Sequence, residues 1–254
     1  MIKTPHFSII TVTYNNLEGL HRTYESLIEQ STKDYQWIVI DGGSEDGTVA
    51  FLSGLDLGNL EWVSAPDLGI YDAMNKGIAY ATGTYIQFLN AGDVLAGRET
   101  LETVSKYQGD IIYGDAMEGV EIKYAYDPFL YKAALFTHHQ SIFYKRELLG
   151  ALRYNLDYEI AADYLLTQIY LTHCDSVSYI SFPLCIFEQG GISQKQAVKG
   201  RMELYDIRRK YKICSGFENI LMFMKQSVTG LLKHFAPQFY WRFRSFRRAK
   251  TLDA

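Results

Sequence analysis

The sequence predicts an α/β fold: a mostly parallel sheet flanked by helices, with a helical C-terminal stretch. Three observations carry this. Strand-length apolar runs alternate with helix-length amphipathic stretches over residues 7–89, the pattern of repeated strand–helix–strand units. The runs end in turn-rich polar segments. The run Tyr85–Leu89, bounded by Gly83 and Gly92, leads into Asn90-Ala91-Gly92-Asp93. Ligands of open α/β sheets sit just past the carboxyl ends of strands, so Asp93 is expected at the rim of a site.

Phe7 to Tyr14 is β-branched and apolar, a first strand. Asn15-Asn16 ends it and can cap the helix in which Leu17, Leu20, Tyr24, Leu27 and Ile28 recur at helical spacing. Gln36 to Ile40 is a second strand, closed by the loop Asp41-Gly42-Gly43-Ser44-Glu45-Asp46-Gly47-Thr48. Leu60–Ala65 is a third strand, Tyr71–Ala81 a helix, and Tyr85–Leu89 the fourth strand. Alternation then becomes less regular. Asp110–Tyr113 and Gln140–Tyr144 read as strands, Ile160–Leu171 as a helix, and Val177–Ile186 as extended. Helical signal dominates after Gly190-Gly191, and the domain boundary is placed at residues 200/201.

The chain has 254 residues, 48% of them hydrophobic, which suits one large domain with an appendage. Cys174, Cys185 and Cys214 form neither a disulfide framework nor a Cys-x-x-Cys metal pattern, so a reducing compartment is expected. Net charge is −4, unevenly spread. Between Asn219 and Leu252 lie seven basic residues and no acid, so residues 1–218 carry 18 basic against 28 acidic groups. An acidic body with a basic tail points to a separate partner for the tail.

No Gly-x-Gly-x-x-Gly follows the first strand and no Gly-x-x-x-x-Gly-Lys-Ser/Thr occurs, which argues against a dinucleotide site and a P-loop. Asp41 ends the second strand. Its carboxylate can accept a uracil imide N–H or a ribose hydroxyl, or serve the Asp-Gly-Gly turn. Asp46 reads as a turn or cap residue. In Asp67-Leu68-Gly69-Ile70-Tyr71-Asp72-Ala73-Met74-Asn75-Lys76-Gly77, Tyr71 and Asn75 recur at one-turn spacing, Lys76 supplies a cation, and Asp72 complements the helix start. Asp163 stands alone among Ile160, Ala161, Leu165, Leu166 and Ile169, where a carboxylate is costly to bury without purpose.

Four segments together resemble the family 2 glycosyltransferases: strand-Thr-x-x-Tyr-Asn, Val-Ile-Asp-Gly-Gly-Ser-x-Asp-Gly-Thr, Asp-x-Gly-x-Tyr-Asp-Ala-Met-Asn-Lys-Gly and Phe-Leu-Asn-Ala-Gly-Asp. The resemblance covers residues 7–195, and the Asn-x-Gly-Asp form is similar to bacterial surface-polysaccharide enzymes of the colanic acid type. It implies a GT-A fold and inverting transfer of a sugar from a nucleotide sugar, UDP-linked, to a hydroxyl of a glycan or polyprenyl-diphosphate-linked acceptor. It implies donor binding by Thr13, Tyr14, Asn15, Asp41, Asp67, Asn75, Lys76 and Asn90. It implies acceptor binding by His138, His139 and Gln140, a catalytic base at Asp163 with Glu159 and Asp157 as rivals, and Mg²⁺ or Mn²⁺ held by Asp93. This chain departs from the family's Asp-x-Asp: Asn90 and Gly92 replace acids there. Mg²⁺ is commonly held by one or two carboxylates plus substrate phosphates and water, so one carboxylate suffices in principle. The departure also raises the alternative of a catalytically weak nucleotide-sugar-binding protein. A nucleotidyltransferase would need a Gly-rich, Arg-containing loop where Thr13-Tyr14-Asn15-Asn16 stands.

In the tail, Phe217, Ile220, Leu221, Met224, Val228, Leu231, Leu232 and Phe235 fall on one helical face. Beyond Pro237, Phe239, Tyr240, Trp241, Phe243 and Phe246 interleave with arginines. Basic, aromatic and amphipathic together predict an interfacial segment on an anionic membrane rather than nucleic-acid binding. With no signal peptide or spanning helix in sight, the expectation is a cytoplasmic enzyme held peripherally on the inner face of the plasma membrane.

Overall fold

The computed structural model describes residues 4–235. Its first half alternates regularly: β1 (Phe7–Thr13), α1 (Leu17–Ile28), β2 (Tyr35–Asp41), α2 (Thr48–Ser53), β3 (Leu60–Ser64), α3 (Ile70–Tyr80) and β4 (Tyr85–Phe88). Then come β5 (Val94–Leu95), α4 (Thr100–Ser105), β6 (Ile111–Glu118) and β7 (Glu121–Lys123), a 3-10 turn at His139–Ser141, β8 (Ile142–Lys145) and α5 (Arg146–Leu149). α6 (Ala162–Leu171), β9 (Val177–Phe187), α7 (Ile192–Lys195), α8 (Ala197–Lys210) and α9 (Gly216–Phe235) follow.

The sheet order is β3-β2-β1-β4-β8-β6-β9-β5, with β7 beside β6. The β3-β2-β1-β4 half is parallel, as the apolar runs predict. Every residue of β1, β2 and β4 is buried, which is why those runs are nearly continuous rather than alternating. The other half departs from the mostly parallel expectation. β8 pairs antiparallel with both β4 and β6, while β6 and β9 run parallel. This mixed pairing is the physical reason for the irregular alternation after Asp93. β1 and β2 end in register, Thr13 beside Asp41, so their loops emerge on one edge. Phe7, Ile9, Leu20, Leu27, Trp37, Val39 and Phe143 are among the fully enclosed core residues.

α3 lies close against the centre of this sheet. A Cβ on Gly77 would run into the Cγ2 of the fully buried Ile10. Gly77→Ala is therefore expected to lower stability. Overpacking costs ~1–3 kcal/mol, which outweighs a gain of up to about 1 kcal/mol in helix propensity. Thermal unfolding checks this at roughly 2–4 °C per kcal/mol; an unchanged or raised Tm would contradict it.

The chain divides into two compact units, Met1–Lys195 and the residues from Gln196 on. The division falls before the expected boundary, because α8 continues back to Ala197. Within the second unit the Arg208 guanidinium is fully buried and donates through Nε to Asn219 Oδ1 at 2.7 Å. Asn219 in turn donates to the Tyr205 carbonyl at 2.9 Å. Along α9, Phe217, Ile220, Leu221, Met224, Val228, Leu231 and Leu232 are exposed. Among the described residues no helix is long and apolar enough to cross a membrane. The aromatic and arginine-rich part of the predicted tail, Phe239 to Lys250, lies outside the described residues.

Candidate active site

The chain leaves β4 by continuing along β1, with Leu89 and Ala91 donating to the Ile10 and Val12 carbonyls at 2.9 and 3.1 Å. It then turns sharply, with Asp93 N–H on the Asn90 carbonyl at 3.0 Å. Gly92 sits at φ +104°, the left-handed region that glycine enters without strain. The start of α1 grips this turn. Thr23 Oγ1 accepts from Gly92 N–H at 3.0 Å and lies 2.8 Å from the Asp93 carbonyl. Asn16 caps α1 through Gly19 N–H at 3.1 Å and donates to the Ala91 carbonyl at 3.1 Å.

Asp93 does not stand at an open rim, contrary to expectation. It is 2% exposed. Gln140 Nε2 donates to its Oδ2 at 2.6 Å and Glu188 N–H to its Oδ1 at 2.9 Å. The chain after β9 crosses over the turn, and this encloses it. Burial pushes the Asp93 carboxyl up to about 6, against the opposing pull of those two hydrogen bonds and of His139. The Glu188 side chain lies against Gly92 and pairs with Arg22.

Gln140 was expected on the acceptor side, and the structure corrects this. It is 1% exposed, its amide holds Asp93, and its carbonyl accepts from Gln87 at 2.6 Å. His138 packs its ring on Phe187 at 4.7 Å, and burial depresses its pKa to about 4. His139 stands between two other expected site residues. Its Nε2 lies 3.4 Å from Asn90 Nδ2, and its Nδ1 lies 3.5 Å from Asp163 Oδ2. Asp163 is in the first turn of α6, where a carboxylate is favoured by the helix N-terminus. The rivals Asp157 and Glu159 are exposed.

The α3 motif also differs from expectation. Asn75 was assigned to the donor, yet both ends of its amide pair with the Tyr154 backbone, at 2.8 and 2.9 Å. Tyr71 OH donates to the Ile160 carbonyl at 2.8 Å, and its ring stacks on Tyr154 at 5.1 Å. The motif thus holds the segment leading to Asp163. Lys76 pairs with Asp72 at 2.9 Å and reaches the Pro66 carbonyl at 3.3 Å. Asp67 accepts from Gly69 N–H at 2.8 Å.

Asp41 is fully buried, and its oxygens accept from Ser64 Oγ at 2.6 Å, Ser44 N–H at 3.0 Å and the Ser44 hydroxyl. Its carboxylate is spent on the turn, the alternative its Asp-Gly-Gly sequence left open. Asn15, at φ +48°, bonds across to Ser44 and Glu45, at 2.7 and 2.9 Å. Tyr14 is 65% exposed beside these loops, and the Thr13 hydroxyl is buried without a partner among the described residues.

Sequence reasoning missed Thr23, Arg22 and Glu188. Thr23 alone left a signal: a polar residue on the buried face of α1, between Leu20 and Leu27. Among the described residues no three His, Cys, Asp or Glu side chains gather as a metal cluster. The turn offers one carboxylate, Asp93, and the buried Asn90 Oδ1, which has no hydrogen-bond partner among the described residues. Hard cations take such oxygens, with Mg²⁺ usually completing its shell from phosphates and water. Those oxygens are of the chemical class that an ion arriving with a diphosphate takes, and in this structure both are enclosed.

Comparison with known proteins agrees with this architecture. A sequence model described as glycosyl transferase family 2 matches residues 8–156. A glycosyltransferase of Mycobacterium tuberculosis is 34% identical over 229 residues, 83% of this chain and 87% of that protein. A PGL/p-HBAD biosynthesis glycosyltransferase of Mycobacterium bovis is 36% identical over 174 residues, 63% of this chain and 67% of that protein. S. aureus TarS in complex with UDP-GlcNAc superimposes with a TM-score of 0.64 at 16% identity, over 91% of this chain and 74% of that chain. The mannosyltransferase PcManGT of Pyrobaculum calidifontis, in complex with GDP-Man and Mn2+, gives a TM-score of 0.65 at 16% identity, over 99% and 81%. These two likenesses show the GT-A fold. From the family match and the identity to the mycobacterial enzymes, the chain belongs to glycosyl transferase family 2.

Proposed function

We propose that this enzyme transfers a sugar, with inversion, from a UDP-linked donor to a hydroxyl of a glycan or lipid-linked acceptor in surface-polysaccharide synthesis. The observation that carries the reading is the contact chain from Asn90 in the strand-end turn, through His139, to Asp163 at the start of α6. It sets a carboxylate near the turn, on the side of His139 opposite Asn90. Inverting transfer needs that separation, because the base must act on the face away from the leaving diphosphate. The acceptor O–H gives its proton to Asp163 as its oxygen bonds to the anomeric carbon. The bond from that carbon to the diphosphate oxygen breaks, and the electron pair leaves with UDP.

Asn90 and Asp93 would hold a divalent ion on the diphosphate. When bound, the ion neutralises developing charge on the leaving group. Thr23 and Asn16 fix the turn that presents those oxygens, and Tyr71 with Asn75 fixes the approach to Asp163. Tyr14 offers an exposed ring beside the loops where a nucleobase would lie. Similarity to PcManGT and TarS supports a nucleotide-sugar donor, and the name of the M. bovis relative supports an acceptor of the cell envelope. Release of nucleotide from a panel of UDP- and GDP-sugars with Mn²⁺ tests this reading. Turnover of a UDP-sugar is expected; release from GDP-sugars alone would replace the donor assignment, and tight donor binding without release would favour a pure binder.

The second unit is read as the membrane attachment. α9 exposes a row of apolar side chains, and the sequence from Asn219 to Leu252 has seven basic residues and no acid. Anionic lipids attract such residues by about 1 kcal/mol each near the surface. Full-length protein is expected to float with anionic but not neutral liposomes, and to be released by salt. A chain ending at Lys195 should stay behind. Equal flotation of both, or of neither, would leave the tail without this role.

A further inference from the structure

His139 is held on every side. Its 3-10 turn is closed by Ser141 N–H on the His138 carbonyl at 2.8 Å. Ser141 Oγ donates to the Asp115 carbonyl at 2.8 Å, and Gln140 is fastened to Asp93 at 2.6 Å. The imidazole side chain is only 14% exposed and that of Asp163 18%. The group facing Nε2 is the amide nitrogen of Asn90, at 3.4 Å. An amide nitrogen donates and cannot accept, so with Asn90 in this orientation Nε2 is the bare, accepting nitrogen. The ring proton then sits on Nδ1, which faces Asp163 Oδ2 at 3.5 Å. The other Asp163 oxygen accepts from Tyr164 N–H at 2.7 Å.

We propose that His139 is a positioning residue rather than an acceptor ligand: Asn90 fixes its tautomer, and its Nδ1–H orients the Asp163 carboxylate. This rests on the reading of Asp163 as the base. It also gives the departure at position 90 a physical purpose. A carboxylate there could not donate to Nε2 and would draw the ring proton towards itself, away from Asp163. Asn90 in this orientation leaves Nε2 bare, while its own Oδ1 is buried without a partner among the described residues. Donor turn and base are thereby linked through one ring.

Long-range ¹H–¹⁵N NMR of the imidazoles in the full chain reads the tautomer without any ligand. His139 is assigned by the signal lost in His139→Asn. A protonated Nδ1 with a bare Nε2 is expected; a protonated Nε2 overturns the proposal whatever the activity. The kinetic arm uses nucleotide release from UDP-GlcNAc and GDP-mannose with Mn²⁺. His139→Ala should lower kcat about 10–100-fold, the usual worth of an orienting partner, with donor KM little changed. His139→Asn, whose amide N–H falls near the Nδ1 position, should recover most of the loss, and His139→Gln should not. In an Asp163→Asn background, His139→Ala should cost nothing further. Equal behaviour of the Asn and Gln variants, or a full additional loss in that background, overturns the positioning role. Retained release by Asp163→Asn alone overturns the base reading and the positioning with it, even with Nδ1 protonated. If neither sugar nucleotide is turned over, the tautomer alone decides.

Discussion

Asp163→Asn is expected to lower sugar transfer ~10²–10⁴-fold while donor KM stays within a few-fold, because a positioned general base is worth about that much. At about 1.36 kcal/mol per tenfold, this is roughly 2.7–5.5 kcal/mol of transition-state stabilisation. The substitution is close to isosteric. An asparagine keeps an oxygen for Tyr164 N–H, now bonded at 2.7 Å, so the start of α6 should survive. What is lost is the carboxylate proposed to take the acceptor's proton. Asp163 meets the 90–93 turn through His139 rather than by a hydrogen bond of its own to Asn90 or Asp93 among the described residues, so donor affinity should persist. Initial rates at saturating donor, with calorimetric donor binding alongside, check the split. A variant that keeps more than about a tenth of its turnover would move the role to Asp157 or Glu159, against the general-base expectation.

The parallel half of the fold was legible because its strands are buried on both faces and so read as unbroken apolar runs. The mixed half was less legible, since antiparallel pairing of β8 with β4 and β6 leaves no periodic signature in a strand of four residues. At the site, sequence brought out Asn90, Asp93, His139 and Asp163, which fall close together in space. It could not say which way their side chains face. Asn75 read as a donor group because it sits at one-turn spacing from Tyr71, beside a cation. Their hydrogen bonds run instead to Tyr154 and Ile160, far along the chain. Asp41 ends a strand as a ligand-binding acid would, yet its neighbours Ser44 and Ser64 saturate it. Glu188 carried no signal, because what matters is its backbone N–H on Asp93, a donor any non-proline residue supplies.

That enclosure of Asp93 gives the ion-free protein a characteristic dependence of stability on pH. Burial raises the Asp93 carboxyl to about 6 from the ordinary 3.8. A carboxyl raised on folding contributes stability that is full below the unfolded value and is lost as pH rises through the folded one. At about 1.36 kcal/mol per unit, the loss between pH ~4 and pH ~8 is roughly 2–2.5 kcal/mol, the rest falling below pH ~4. Other groups run the opposite way. His138, depressed by burial, and the hydrogen-bonded Asp46 and Asp72, held low, all favour the folded state more as pH rises. The prediction is therefore a difference. Asp93→Asn cannot ionise and loses one acceptor, a penalty independent of pH. Its stability relative to the native sequence should improve by roughly 2–2.5 kcal/mol across that window, measured by urea unfolding in EDTA at several pH values. A flat difference would mean that Asp93 titrates as an ordinary carboxyl and is not enclosed as described. Repeating the series with Mn²⁺ and UDP tests the proposed ion site. A cation at Asp93 replaces the proton and favours the carboxylate, so the native sequence should then gain stability at pH ~8 while Asp93→Asn gains much less. Equal gains for both proteins would remove Asp93 from the ion's shell.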